Sequence, residues 1–306
     1  MSSPATLPAT RADAGIPQSL IDQLGRPIKG PSALGSDPRR MFSLTWALAR
    51  TEFKLAFFGS ALGYLWQLMR PLLLFGVIYL VFTRAHLSKL SSDPFYPAAL
   101  LLGIVLFNFM SESTGGAVPS LVNRESLVRK IDFPRLAVPL ATVLTALFNL
   151  TLNLMTVLIF LAASGGHVRW SWLELPLLIA LFAGFTTGLA MILSVSYVRY
   201  RDVRPIWEVV LQMTFYASGI FFSIVGISPV TLFGVRINLG HVLMANPFAA
   251  ILEQARHSFI DPSYPSAAKA IGGPAMLAIP AGICLAAIVI GFLVFDRQAP
   301  RVAEQL

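Results

Sequence analysis

The chain has 306 residues, 56% hydrophobic and only 12% charged, against about 25% charged in an ordinary soluble domain. Its formal net charge of +8 goes with a mean hydropathy of +0.70; a soluble nucleic-acid binder is excluded, because its charge would gather on one polar face. The single cysteine, Cys284, lies in an apolar run, so there is no internal disulfide and no cysteine metal cluster.

Residues 1–40 are rich in Pro, Ser, Ala and Gly and read as a flexible cytoplasmic tail. Residues 41–58 follow as a basic amphipathic elbow. Met41, Leu44, Leu48, Ala49 and Phe53 fall on one side at helical spacing, and Arg50, Glu52 and Lys54 fall largely on the other, which suits a helix lying in a membrane interface. Residues 62–82 carry one charge, Arg70. At about 1.5 Å per residue they are long enough to cross a hydrocarbon core of about 30 Å.

Further spans are expected at 96–118, 136–163, 172–197, 205–224 and 276–295, six in all. Residues 119–135, basic and flanked by prolines, read as a cytoplasmic helix. Residues 225–275 break into apolar stretches too short to cross, which fits one or two re-entrant helices on the outer face. Residues 298–306 are a short tail. Of the lysines and arginines, sixteen fall in the two termini, the elbow and the even-numbered loops, and six fall in the opposite loops. That asymmetry places both termini in the cytoplasm. The fold expected is an all-α polytopic membrane protein.

No catalytic signature is present. None of the five lysines follows a glycine, so the chain has no phosphate-binding G-K-[ST] loop. His86, His167, His241 and His257 lack metal-ligand spacing, and no G-x-S-x-G elbow occurs.

Four stretches in order resemble one family. LARTEFKLAFFGSALGYLWQLMRPLLLF is similar to the elbow and first span of the permease subunits of type-2 ABC exporters of polysaccharide, O-antigen and teichoic acid. LVNRESLVRKIDFPRLAVP resembles that family's segment between spans two and three, YRDV the motif after span four, and ANPFAAILEQAR the Asn-Pro segment before the last span. The resemblance covers residues 41–297. It implies a homodimeric transport subunit, not an enzyme, in the bacterial cytoplasmic membrane, moving a lipid-linked (polyprenyl diphosphate) glycan. It also implies two copies of a separate ATPase that bind the ATP and Mg; this chain would hold no cofactor or metal and would bind no nucleic acid. Spans one and five would line the conduit, and the re-entrant segments would close it outside. The elbow and the segment between spans two and three would meet the ATPase, pointing to Arg50, Asn123, Arg124, Glu125, Arg129 and Lys130. Arg70 departs from the Asn the family often has before the proline of the first span.

The residues add candidates of their own. Phe75, Tyr79 and Phe82 on span one and Phe215 and Phe222 on span five form two aromatic stripes, with Tyr64 and Trp66 nearby. Such stripes suit either a sugar-binding conduit or ordinary packing and lipid contact. Arg70 and Glu112 both fall in the inner leaflet, about 12 Å and about 24 Å along their spans from the cytoplasmic and outer edges. They would bridge each other or line the entrance of the lipid diphosphate, unless Arg70 snorkels and neighbouring Ser and Thr cap Glu112. The segment 123–130 suits a rigid lever or a simple positive anchor, and Asp202 a pair with Arg199 or Arg204. Competing functions are an exporter of drugs or small lipids, a polyprenyl-lipid transferase, which needs an acidic cluster that Asp132 and Asp202 do not form, and an ATP-independent carrier.

Overall fold

The computed structural model describes residues 38–56, 63, 65–84, 93–128, 133–225, 227, 230–232 and 235–305. It is helical apart from one short hairpin. The segment expected as an elbow is helical, α1 (Pro38–Leu55), and is followed by α2 (Leu65–Arg84) and α3 (Tyr96–Ala117). Two single turns come next, α4 (Ser120–Asn123) and α5 (Glu125–Val128), then the long α6 (Ala137–Ala163) and α7 (Glu174–Arg199). After α8 (Val203–Ala217) the strands β1 (Val230–Leu232) and β2 (Val235–Ile237) pair antiparallel, Val230 opposite Ile237. Short helices α9 (Leu239–Met244), α10 (Pro247–Ala255) and α11 (Ala267–Ile271) lead into α12 (Ala278–Gln305).

Among the described residues, five helices are long and apolar enough to cross a membrane: Leu65–Thr83, Tyr96–Ala117, Ala137–Ala163, Trp170–Arg199 and Pro274–Val302. The expected fifth span, 205–224, is a 15-residue helix, about 22 Å of rise against a core of about 30 Å. It stops at Ser218–Gly219, where Gly219 takes a left-handed φ of 73°. A Cβ there would sit 2.6 Å from the Ile224 side chain, so glycine ends the helix and lets the chain fold back.

Two further expectations are corrected. The segment 119–135 is not one helix: the backbone breaks at Arg124, with φ −120° and ψ 32°, between the two single turns. The C-terminal residues 298–302 are no tail, because α12 continues through Pro300 and buries Ala299 and Val302.

The second span, α3, is the centre of the bundle. Of its span window 72% is buried, against 11% for α2 and 17% for α12. Its core includes Leu100, Leu101, Leu102, Ile104, Leu106 and Phe109, all 2% exposed or less. The α7–α12 pair crosses closely, because Gly188 and Gly291 remove the side chains that would hold the backbones apart. A Cβ on Gly291 would lie 2.4 Å from the Gly188 carbonyl oxygen.

The up-and-down course of the spans gives the bundle two ends. At the elbow end, Leu121, Val128, Phe133, Val195, Val198, Phe295 and Ala299 form one cluster with Met41 and Leu48 against it. At the far end a separate cluster joins Ile224, Met244, Ala249, Ala250 and Ile271.

Candidate functional site

The elbow end is tied together by charge as well as by apolar packing. Trp46 and Phe53 of α1 meet Phe148 of α6 edge-on, each at 5.5 Å between centroids. Glu52, expected on the polar side of the elbow, instead turns inward. It accepts from the Thr145 hydroxyl at 3.1 Å and forms an ion pair with Arg124. Partial burial lowers the Arg124 pKa, but a guanidinium stays charged at any relevant pH. The buried Arg135 donates from Nε to the Val128 carbonyl at 3.4 Å and from Nη1 to the Ala299 carbonyl. One end of the molecule therefore joins elbow, loop and last helix. Asn123 and Arg50 are exposed on it, Arg124 and Glu125 are half-buried, and Arg129 and Lys130 lie outside the described residues.

A polar cluster sits inside the bundle. Glu112 of α3 accepts from Gln67 Nε2 of α2 at 3.1 Å and from Asn149 Nδ2 of α6 at 2.8 Å. It has no bridge to Arg70, which is exposed and makes no ion pair among the described residues. The carboxylate thus holds three spans together, which explains how a charge survives in an apolar helix. Nearby, Trp207 Nε1 of α8 donates to Thr114 Oγ1 of α3 at 2.9 Å. Asp202 pairs with neither Arg199 nor Arg204. Arg204 pairs with Glu208 at 3.2 Å, and Arg199 lies over the Tyr200 ring at 5.2 Å.

The aromatic stripes pack chiefly against the chain itself. Phe75 stacks on Tyr79 at 5.5 Å and meets Phe160 edge-on at 5.2 Å, while Tyr79 lies 6.2 Å from Tyr96. Phe82 stacks on Phe221 at 5.6 Å, and Phe215 sits between Phe107 at 4.7 Å and Phe221 at 5.0 Å. Phe222 is half-buried and Trp66 is exposed; Tyr64 lies outside the described residues. Beside this cluster α2, α3 and α8 enclose a groove of about 300 Å³ lined by Leu74, Phe107, Asn108, Ser111, Gln212, Phe215 and Tyr216. Among the described residues, Phe215 is the one expected conduit residue that lines it.

At the far end lies a site that the sequence reading passed over. Arg256, counted there as a loop charge, is 2% exposed. It donates from Nη1 to the Gly219 carbonyl at 2.9 Å and from Nη2 to the Ile220 carbonyl at 2.7 Å, and pairs with Glu253 at 3.5 Å. Burial raises the Glu253 pKa and the charge of Arg256 opposes the rise. Arg256 thus satisfies the carbonyls freed where α8 stops. A Ser-Gly pair interrupting an apolar run was the available signal for that stop. The Asn-Pro motif has a local purpose: Asn246 Oδ1 accepts from the Phe248 N–H at 3.0 Å and Pro247 opens α10.

Comparison with known proteins fits this architecture. Residues 43–260 match the family described as ABC-2 type transporter. The chain is 29% identical over 178 residues, 58% of its length and 67% of the relative's, to the O-antigen export system permease protein RfbA of Myxococcus xanthus. Two proteins of the same name from Klebsiella pneumoniae are 24% identical over 184 residues and 23% identical over 184 residues, in each case 60% of this chain and 70% of the relative. The family match runs from the elbow through the far-end helices, and the chain belongs to the ABC-2 type transporter family.

Proposed function

We propose that this chain is the membrane subunit of an ATP-driven exporter that moves a lipid-linked polysaccharide of the O-antigen class across a bacterial cytoplasmic membrane. It works as a homodimer with two copies of a separate ATPase, and both termini are cytoplasmic. What supports the reading is that the relatives named as O-antigen export permeases align with a chain whose family match spans elbow, spans and far-end helices. The elbow lies in the membrane interface and, with the 120–128 turns, receives the ATPase through Arg50, Asn123, Arg124, Glu125, Arg129 and Lys130. Because Arg135 fixes α12 to the same end, movement there reaches the last span as well.

The conduit follows the groove of α2, α3 and α8, with Phe215 and Tyr216 as sugar-facing rings. Phe75, Tyr79, Phe82 and Phe222 form the wall behind it. Leu73, Val77 and Leu80 of α2 and Val209 and Met213 of α8 leave an exposed apolar face, which a second copy covers. The 15-residue α8 and the short helices after it enter the membrane only in part and form the outer gate. Arg70 remains free to meet a lipid diphosphate at the entrance.

The test is deletion of the chain from its native host, followed by measurement of surface glycan and of lipid-linked glycan inside. Loss of the first with build-up of the second is expected. Unchanged surface glycan overturns the proposal.

A further inference from the structure

A second polar cavity lies at the far end, about 180 Å³ in volume, where Asp93, Ser223, Glu253, Arg256, Ser263 and Tyr264 line the wall. Its donors are not all satisfied. Arg256 spends Nη1 and Nη2 on the Gly219 and Ile220 carbonyls, but its buried Nε has no partner. The Tyr264 hydroxyl is buried beside the Asp93 carboxylate on the same wall. Burial and the neighbouring Asp93 carboxylate push the Tyr264 pKa up, so its hydroxyl stays a neutral donor. A buried guanidinium N–H without a partner is costly, and one that opens on a cavity also walled by a tyrosine hydroxyl and two carboxyls marks a place for a ligand.

The chemistry of the wall selects that ligand. A free cation meets the Arg256 guanidinium, and a phosphate meets the Asp93 and Glu253 carboxyls, so neither sign of charge is favoured. Donors from Arg256 and Tyr264 beside acceptors from Asp93 and Glu253 suit a neutral ring carrying several hydroxyls, each both donor and acceptor. The site is preorganised. His257 Nδ1 bonds the Tyr264 carbonyl at 2.7 Å, the Ser263 N–H donates to Asp261 Oδ1 at 2.9 Å, and Asp261 is pinned by Arg169 at 2.8 Å. Ser223 follows directly on Phe221 and Phe222, in the segment that continues α8 from the aromatic groove.

We infer that this cavity is a subsite for one sugar ring of the glycan at the exit end of the conduit. The inference rests on the export function proposed above, and its test is separate from that one. The purified chain in lipid nanodiscs is mixed with the methyl glycosides of glucose, galactose, mannose and N-acetylglucosamine, and saturation-transfer NMR reads binding. Transfer to at least one glycoside is expected, weakened about tenfold in Tyr264→Phe, which removes one hydrogen bond and leaves the ring. Asp93→Asn, which keeps the acceptor for the Phe95 N–H, is expected to weaken it as well, and neither change should move the melting temperature. No transfer to any glycoside, transfer indifferent to Tyr264→Phe, or displacement by equimolar inorganic phosphate would each overturn the subsite. A protein that exports glycan but fails here refutes the subsite alone. One that binds glycosides here but exports none refutes the export function alone.

Discussion

The second span and the last span differ in a way that inverts the rule for soluble proteins. Among the five described helices long and apolar enough to cross, Tyr96–Ala117 is the least apolar and Pro274–Val302 the most, yet 72% of the first window is buried and only 17% of the second. Lipid tails are as apolar as leucine, so a helix gains nothing from hiding leucine from them, and association rests on packing and polar bonds. The helix that carries Glu112, Ser113, Thr114 and three glycines is therefore the one the others surround. The helix with nothing to hide stays outside, joined where Gly188 and Gly291 let backbones touch.

This contrast can be broken by substitution. The largest effect is expected from Arg256→Met, which frees the Gly219 and Ile220 carbonyls and leaves the buried Glu253 without its partner. A loss of about 3–5 kcal/mol is expected, seen as a strongly lowered melting temperature in mild detergent. Phe109→Ala in the buried span should cost about 3 kcal/mol from the cavity left among Phe182 and its neighbours. Glu52→Gln, which breaks the half-exposed pair with Arg124, should cost about 1 kcal/mol or less. Its sharper readout is ATPase stimulation, which should fall several-fold if the elbow and the 120–128 turns move as one body. Leu80→Ala on exposed α2 should leave the melting of a single chain within about 0.5 kcal/mol while weakening self-association, measured by crosslinking in membranes.

The spans bounded by polar residues on both sides were legible in the sequence. The ranges 96–118 and 136–163 fall within a residue of Tyr96–Ala117 and Ala137–Ala163, because a long apolar run in a membrane protein has one outcome. Partners far apart in sequence were not legible. Arg135 and Arg256 both counted as loop charges, yet each is buried because it finds carbonyls elsewhere, Ala299 in one case and Gly219 and Ile220 in the other. Helical periodicity placed Glu52 outside, and only the position of Arg124 and Thr145 draws it in. The aromatic stripes were visible as spacing, but spacing does not say which face another helix takes; Phe75 went to the core and Phe215 to the groove. The break at Arg124 is a backbone event inside a run that composition reads as continuous, and the stop at Gly219 had only the Ser218-Gly219 pair to signal it.

The most direct test of the central claim is to purify the chain from its native membrane in mild detergent, identify what accompanies it and assay ATP hydrolysis. A stoichiometric partner carrying a phosphate-binding loop, with hydrolysis reduced by Glu52→Gln, is the predicted result. A chain that purifies alone and supports no hydrolysis would contradict it.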